Sequence, residues 1–109
     1  MTVDTDDFAA TAARAFAKTF DGVIRLDPDG GAPLWIDGRA SPPQILRAAP
    51  GRLDPAGVGQ CVWRASRETL IRIFEGERLL GSSYLSGRLA IAGDMSVMAR
   101  LQLERASRG

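Results

Sequence analysis

The chain has 109 residues, of which 45% are hydrophobic, and a formal net charge of +1. A chain of this length forms one domain around one core, and its near-neutral charge argues against a general attraction to nucleic acid. There is no histidine and only one cysteine, which removes the commonest general base and zinc ligand and any intrachain disulfide. We therefore expect a single domain over residues 1–109, with no metal and no cofactor.

Membrane and export signals are also missing from the sequence. No apolar run reaches the roughly 20 residues that a membrane span needs. The acidic start, residues 1–7, lacks the features of a signal peptide, and the final Ser-Arg-Gly is not the Ser-Lys-Leu type of peroxisomal address. We expect a soluble cytoplasmic protein.

The first predicted element is an amphipathic helix, which Asp4 or Thr5 would cap. The helix is expected to run to about Phe20 and to end near Gly22. Its apolar positions repeat every four residues, at Phe8, Ala12, Phe16 and Phe20.

A β-hairpin is predicted next. Residues 23–27 and 34–37 alternate apolar and polar side chains, and Ile24, Leu26 and Ile36 fall on the inner face. Between these strands, residues 27–31 carry dense turn chemistry. Residues 44–59 are the least informative: Ile45 and Leu46 fit a short helical turn or an edge strand, and the segment could form a lid or entrance.

A third strand and a second helix follow. In residues 60–65, Cys61, Trp63 and Ala65 share one face. Ser66 is the expected N-cap of a helix that begins at Arg67. The apolar stripe of this helix is Leu70, Ile73 and Phe74, and Gly76 is the candidate for its C-terminal cap.

Residues 87–101 predict a strand, a tight corner and a helix. Leu89 and Ile91 alternate with polar or small residues, as in a half-buried strand. Gly93 permits a backbone turn that a side chain would obstruct, and Asp94 is a good N-cap. Met95, Met98 and Leu101 then recur at helical spacing.

This stretch resembles the signature of the sterol-carrier-protein-2 (SCP-2) lipid-binding domain family, in which a Gly-basic-Leu-x-Ile-x-Gly-Asp-Met strand runs into a helix. The matching residues are Gly87, Arg88, Leu89, Ile91, Gly93, Asp94, Met95, Met98 and Leu101. Alanines stand at positions 90 and 92, where the family often has lysines. The resemblance covers about residues 23–103. It implies an α+β fold, with a mostly antiparallel sheet of about five strands and helices on one face that enclose a hydrophobic tunnel.

The apolar side chains on these elements are the candidate ligand-binding residues. They could equally fill an ordinary core, but methionines on one short helix adapt well to ligands of varied shape, and the resemblance implies a tunnel. The candidates are Phe16, Phe20, Ile24, Leu26, Ile36, Leu70, Phe74, Tyr84, Leu85, Leu89, Ile91, Met95, Met98 and Leu101.

Catalytic constellations are weak. Ser82, Ser83 and Ser86 have no histidine to act as a base, and Cys61 fits an inert buried thiol better than a reactive one. Asp94 is better explained as a helix cap than as an acid. We therefore expect no catalytic residue and no enzymatic activity.

The resemblance implies a non-catalytic carrier for a hydrophobic, lipid-like ligand: a fatty acyl chain, a sterol or an isoprenoid. Expected contacts are this ligand, at most a transient membrane surface, and possible homodimer formation, with no nucleic acid. Three alternatives remain open. The chain could be a small-molecule enzyme that uses the same cavity, an accessory scaffold that presents an isoprenoid or quinone intermediate to biosynthetic enzymes, or an interaction domain with a filled core.

Overall fold

The computed structural model describes residues 3–103 of the chain, and the side chains of residues 8–103. Four helices and five strands alternate irregularly along it. In chain order they are α1 (Val3–Ala15), β1 (Val23–Pro28), β2 (Leu34–Asp37), β3 (Gln44–Leu46), β4 (Gln60–Ala65), α2 (Arg67–Phe74), α3 (Leu80–Leu85), β5 (Leu89–Gly93) and α4 (Ser96–Arg100). The α+β class and the number of strands predicted from the sequence are confirmed.

The five strands form one mixed sheet in the order β3-β2-β1-β4-β5. The predicted hairpin of β1 and β2 is present, and the pairs β1–β2, β2–β3 and β4–β5 are antiparallel. The central pair, β1 and β4, is parallel. This pairing refines the expected antiparallel sheet: residues 47–59 carry the chain from the β3 edge back to the free side of β1, so β4 enters in the same direction as β1.

One face of the sheet is apolar and lies under the helices. Side chains alternate along each strand, and the fully buried ones come from the same face, as predicted. They include Ile24, Leu26, Ile36, Cys61 and Trp63. On the opposite face Arg25 stacks 5.6 Å above the ring of Trp35 and lies 3.9 Å from Asp27.

Aromatic rings fill the space between the centre of the sheet and the helices. The ring of Phe16 lies 5.7 Å from that of Trp63 and 5.5 Å from that of Phe74. Such tilted or edge-on pairs add to the hydrophobic gain of burial. The core therefore joins the region of α1, the β4 strand and α2 through one aromatic cluster.

Helix α1 ends at Ala15 rather than near Phe20, where the four-residue spacing placed its end. The N–H groups of Phe20 and Asp21 donate to the carbonyl of Gly38 instead of to carbonyls one turn earlier. Tertiary contacts thus override the helical pattern, although Phe20 still packs in the core at 2% exposure. The helix begins at Val3, and the cap predicted at Asp4 or Thr5 depends on side chains outside the described residues.

Helix α2 has the predicted caps. The Ser66 hydroxyl accepts a hydrogen bond from the N–H of Thr69 at 3.0 Å. Gly76, two residues after the last helical residue, has a φ of +79°, a conformation that favours glycine. The stripe of Leu70, Ile73 and Phe74 is buried, as expected.

The structure decides between the two alternatives for residues 45–46 and adds a short helix that was not predicted. Ile45 and Leu46 lie in β3, an edge strand and not a helical turn. Helix α3 lies in a segment whose glycine and serines disfavour helix. It is held by the buried Ser83, whose hydroxyl donates to the carbonyl of Leu79 at 2.8 Å.

The corner between β5 and α4 is tightly constrained. Gly93 has a φ of +105°, and a Cβ there would lie 2.5 Å from the carbonyl oxygen of Gln60. The Asp94 carboxylate accepts from the N–H of Gly59 at 2.7 Å and from the N–H of Ser96 at 3.0 Å. Helix α4 begins at Ser96, one residue later than an Asp94 cap predicts. The Asp94 carboxylate nevertheless accepts a hydrogen bond from the N–H of this first helical residue.

Candidate ligand-binding site

An apolar cavity of about 280 Å³ opens where α2, α3 and α4 meet. The residues that line it come from the end of α2, the connection to α3, α4 and the segment after α4. They are Ile73, Gly76, Arg78, Leu79, Leu80, Met98, Leu101 and Leu103. This size lies near the lower end of the range for small-molecule pockets, roughly 300–1,000 Å³. None of the lining residues belongs to a strand, so the cavity lies among the helices.

The wall from α2 to α3 is shaped by backbone hydrogen bonds. After Gly76 turns the chain, the N–H groups of Glu77 and Arg78 both donate to the carbonyl of Arg72, at 2.9 and 3.2 Å. This fold-back places Arg78 and Leu79 at the cavity. Leu79 is 73% exposed, so the cavity has an open side.

The opposite wall is α4 and the residues after it. The Arg100 guanidinium donates to the carbonyl of Phe20 at 3.1 Å and to that of Asp21 at 3.0 Å. Together with the Asp94 corner, these bonds fix both ends of the helix. Met98 and Leu101 are therefore held half-buried against the cavity.

Arg78 is the charged residue among those that line the cavity. Its Nε atom is buried and has no hydrogen-bond partner within residues 3–103. A buried donor without an acceptor destabilises the protein, and a ligand oxygen that accepts its hydrogen bond would remove this penalty. The cavity thus combines apolar walls with one unsatisfied cationic donor.

The predicted ligand-binding residues divide into three groups. Eight are buried in the core: Phe16, Phe20, Ile24, Leu26, Ile36, Leu70, Phe74 and Leu89. Met98 and Leu101 line the cavity, and Ile91 packs against the edge of the core. The remaining three are exposed: Tyr84 at 47%, Leu85 at 84% and Met95 at 46%. Of the two methionines expected on one face, Met98 alone reaches the cavity.

Of the eight residues that line the cavity, only Met98 and Leu101 were predicted as ligand contacts. Arg78, Leu79 and Leu80 lie in a segment for which no element was predicted. A signal was present in two adjacent leucines, Leu79 and Leu80, which follow the helix-ending Gly76 by three and four residues. Residues 44–59, considered as an entrance, contribute nothing to the lining of this cavity.

The nucleophile candidates are engaged or buried. The hydroxyls of Ser82 and Ser83 donate to the carbonyl of Leu79, and that of Ser86 donates to the carbonyl of Ser83. Burial raises the pKa of the Cys61 thiol, which keeps it protonated and unreactive.

A second, polar cleft of about 320 Å³ lies at the loop end of the sheet. Two of its arginines, Arg39 and Arg100, are already bonded to the protein. Arg39 forms a bidentate pair with Asp37, with one nitrogen–oxygen distance of 2.8 Å, and also donates to the carbonyls of Gly51 and Arg52. The guanidinium of Arg39 lowers the pKa of the Asp37 carboxyl. These bonds tie loops together, and the apolar cavity remains the better candidate site.

No helix in the described part of the chain combines the length and the apolar character that crossing a membrane requires.

The architecture is that of SCP-2 domains. No family model matches the sequence, and no curated protein matches it significantly, so the likeness is carried by structure. A solved structure described as the UbiJ-SCP2 ubiquinone synthesis protein superposes with a TM-score of 0.55 at 20% identity, covering 84% of this chain and 70% of its own.

Two insect structures have the same fold. The sterol carrier protein 2 like 2 of Aedes aegypti has a TM-score of 0.55 at 16% identity, over 90% of this chain and 91% of its own. The sterol carrier protein domain 2 of Helicoverpa armigera has a TM-score of 0.52 at 16% identity, over 92% and 72%. The α+β fold implied by the residue 87–101 motif is confirmed, while the hydrophobic tunnel stays a prediction.

Proposed function

We propose that the chain is a non-catalytic binding and carrier domain for hydrophobic, lipid-like ligands. The observation that carries this proposal is the apolar cavity between α2, α3 and α4, in a fold shared with sterol carrier proteins. Burial of acyl, sterol or isoprenoid surface there would contribute about 25 cal/mol per Å². Because apolar walls discriminate weakly between chains, such a site would accept several ligands.

The chemistry around the cavity supports a carrier over an enzyme. The sequence offers no histidine. The serine hydroxyls near the cavity are bonded to backbone carbonyls, and the pKa of Cys61 is raised by burial. We also propose that the domain works in the cytoplasm, contacts membranes only transiently and can form a homodimer.

The test is a substitution that fills the cavity. If Met98 lines a ligand site, Met98→Trp should lower the affinity for a long acyl chain at least about tenfold, a loss of about 1.4 kcal/mol. The melting temperature should change little or rise. Micromolar unlabelled lipid should displace a bound fluorescent fatty acid from the wild-type protein. That concentration corresponds to a binding free energy on the order of −8 kcal/mol. Lipid affinity and melting temperature are measured on the same preparation of each protein.

A control separates cavity filling from a general effect of tryptophan. Val58 is 64% exposed and lies by the polar cleft, so Val58→Trp should leave lipid affinity unchanged. If Met98→Trp instead costs about 1–3 kcal/mol of stability through overpacking and leaves binding intact, Met98 belongs to a close-packed core. That result would remove the support that this cavity gives to the carrier proposal, because lipid would then bind elsewhere in the domain.

A narrower role is favoured by one comparison. One structural neighbour is described as a ubiquinone synthesis protein, which supports a scaffold that presents an isoprenoid intermediate to biosynthetic enzymes. Competition between a polyprenyl ligand and a fatty acid in the same displacement assay distinguishes the two roles. A strong preference for the polyprenyl chain would favour the scaffold.

A further inference from the structure

Arg78 gives the apolar cavity a polarity that the rest of its lining lacks. The other lining residues are leucines, an isoleucine, a methionine and a glycine. The Nε atom of Arg78 is shielded from solvent and donates to nothing within the described chain. Side-chain polar atoms that are buried usually have a partner, so this donor indicates that an acceptor belongs there.

Within the described side chains, no carboxylate pairs with the Arg78 guanidinium. Across residues 8–103, no ion pair involves Arg78, whereas Arg72 in the same region is paired with Glu68 at 2.9 Å. The nearby Glu75 and Glu77 line a separate cavity together with Arg72. Arg78 thus lines the apolar cavity without an ion pair to any of the described carboxylates.

The backbone of Arg78 is fixed, which limits where its side chain can go. Its N–H donates to the carbonyl of Arg72 at 3.2 Å, and α3 begins two residues later at Leu80. Arginine presents several N–H donors in a planar fork that matches two oxygens of a carboxylate or phosphate. A head group of that geometry would satisfy Nε and the charge together.

We infer that the cavity takes amphiphiles with an anionic head group, a carboxylate or a phosphate, and that Arg78 selects them over neutral lipids by binding the head group. The chain of the amphiphile would lie against Met98 and Leu101. This inference rests on the proposed carrier function and narrows it to one class of ligand.

The experiment compares three ligands with the same sixteen-carbon chain in displacement of a neutral fluorescent probe: hexadecanoate, hexadecyl phosphate and hexadecanol. Wild-type protein should prefer one or both anions over the alcohol by about tenfold or more, since hydrogen bonds to charged groups are the strong ones. Whichever anion binds more tightly identifies the head group. Arg78→Gln should remove this preference, with a loss of affinity for the anions at least about tenfold greater than any change for hexadecanol.

Matched variants control for charge and folding. Arg88 is exposed and outside the cavity, so Arg88→Gln loses the same charge and should keep the full preference. Arg78→Lys retains the charge without the planar fork and should give an intermediate preference. Arg78→Met removes the unsatisfied buried donor, so it should melt at or above the wild-type temperature in the absence of ligand.

The outcomes separate the two claims. If hexadecanol and the anions bind wild-type protein equally and Arg78→Gln changes neither, head-group selection is overturned and the carrier function stands. Binding of none of the three by folded wild-type protein would overturn the carrier function and this inference with it. A loss of preference in Arg88→Gln equal to that in Arg78→Gln would show general charge attraction and also overturn the inference.

Discussion

At the scale of single residues, Gly93 is the most constrained position. Its φ of +105° is strained for any other residue, and an added Cβ would lie 2.5 Å from the Gln60 carbonyl oxygen and 3.1 Å from the Cα of Cys61. The glycine is thus required by both backbone angle and space. The sequence motif pointed to this corner, and the close approach of β4 explains it.

Gly93→Ala should reduce the free energy of unfolding by at least about 2 kcal/mol, because strain and displacement of the β4 backbone add. Gly87 has a similar φ of +81° with nothing within 4 Å of an added Cβ. Gly87→Ala should therefore cost only the backbone contribution, about 1 kcal/mol. Urea unfolding measures the loss of stability in both variants, with the dependence of the unfolding free energy on urea concentration held the same for each protein. Equal losses in the two variants would mean that the contact with β4 contributes nothing.

At the scale of elements, Asp94 joins three segments: the loop before β4, the end of β5 and the start of α4. Its bonds from Ser96 and from the N–H of Gly59 hold the pKa of the Asp94 carboxyl below its ordinary value of 3.8. A carboxyl with a depressed folded-state pKa stabilises the fold above its unfolded pKa. That stabilisation is lost as the pH falls through the folded value.

We expect Asp94→Asn to be less stable than wild type at pH 7. The difference should persist down to about pH 4 and shrink at lower pH, as the wild-type carboxyl is protonated. Thermal melting of both proteins between pH 7 and pH 2 measures it. The acid sensitivity due to Asp37 is shared by both proteins and cancels in the difference. A difference that stays constant below pH 3 would show that the charge of Asp94 has no part in it.

The elements that the sequence predicted well are those whose local signals agree with their tertiary role. Ile24 and Leu26 alternate, and they are buried. Ser66 has the cap position and makes the cap bond. The end of α1 was missed because the carbonyl of Gly38, distant in sequence, captures two N–H groups that a longer helix would have used. Helix α3 was missed because tertiary packing around Ser83 outweighs weak helix propensity.

The candidate site was harder to predict than the fold. Met98 and Leu101 were identified from helical spacing, but the same reasoning assigned eight core residues to the ligand. An apolar pattern reports burial and does not report whether the space is filled. The position of Arg78 depends on the turn after Gly76 and on bonds to Arg72, which no local pattern specifies.

At the scale of the whole molecule, the parallel pairing of β1 and β4 has a kinetic consequence. It divides the sheet into two antiparallel groups, residues 23–46 and 60–93, within which strands pair with nearby strands of the chain. The first group closes only short loops, residues 29–33 and 38–43, whereas the β4–β5 and β1–β4 pairs close connections of 23 and 31 residues at greater entropic cost. The β1–β2–β3 group is therefore expected to form first, and the β1–β4 junction to form later and complete the aromatic cluster around Trp63.

Hydrogen exchange should reveal the same division in the folded protein. Amides that bridge β1 and β4 lie at the centre of the sheet and should exchange only through global unfolding, whereas those of the edge strand β3 should exchange through local opening. Amide exchange followed by NMR at several urea concentrations distinguishes the two routes. Faster exchange at the junction than within the β1–β2 hairpin would instead mean that the two halves of the sheet separate while each remains folded, opening the molecule along its middle.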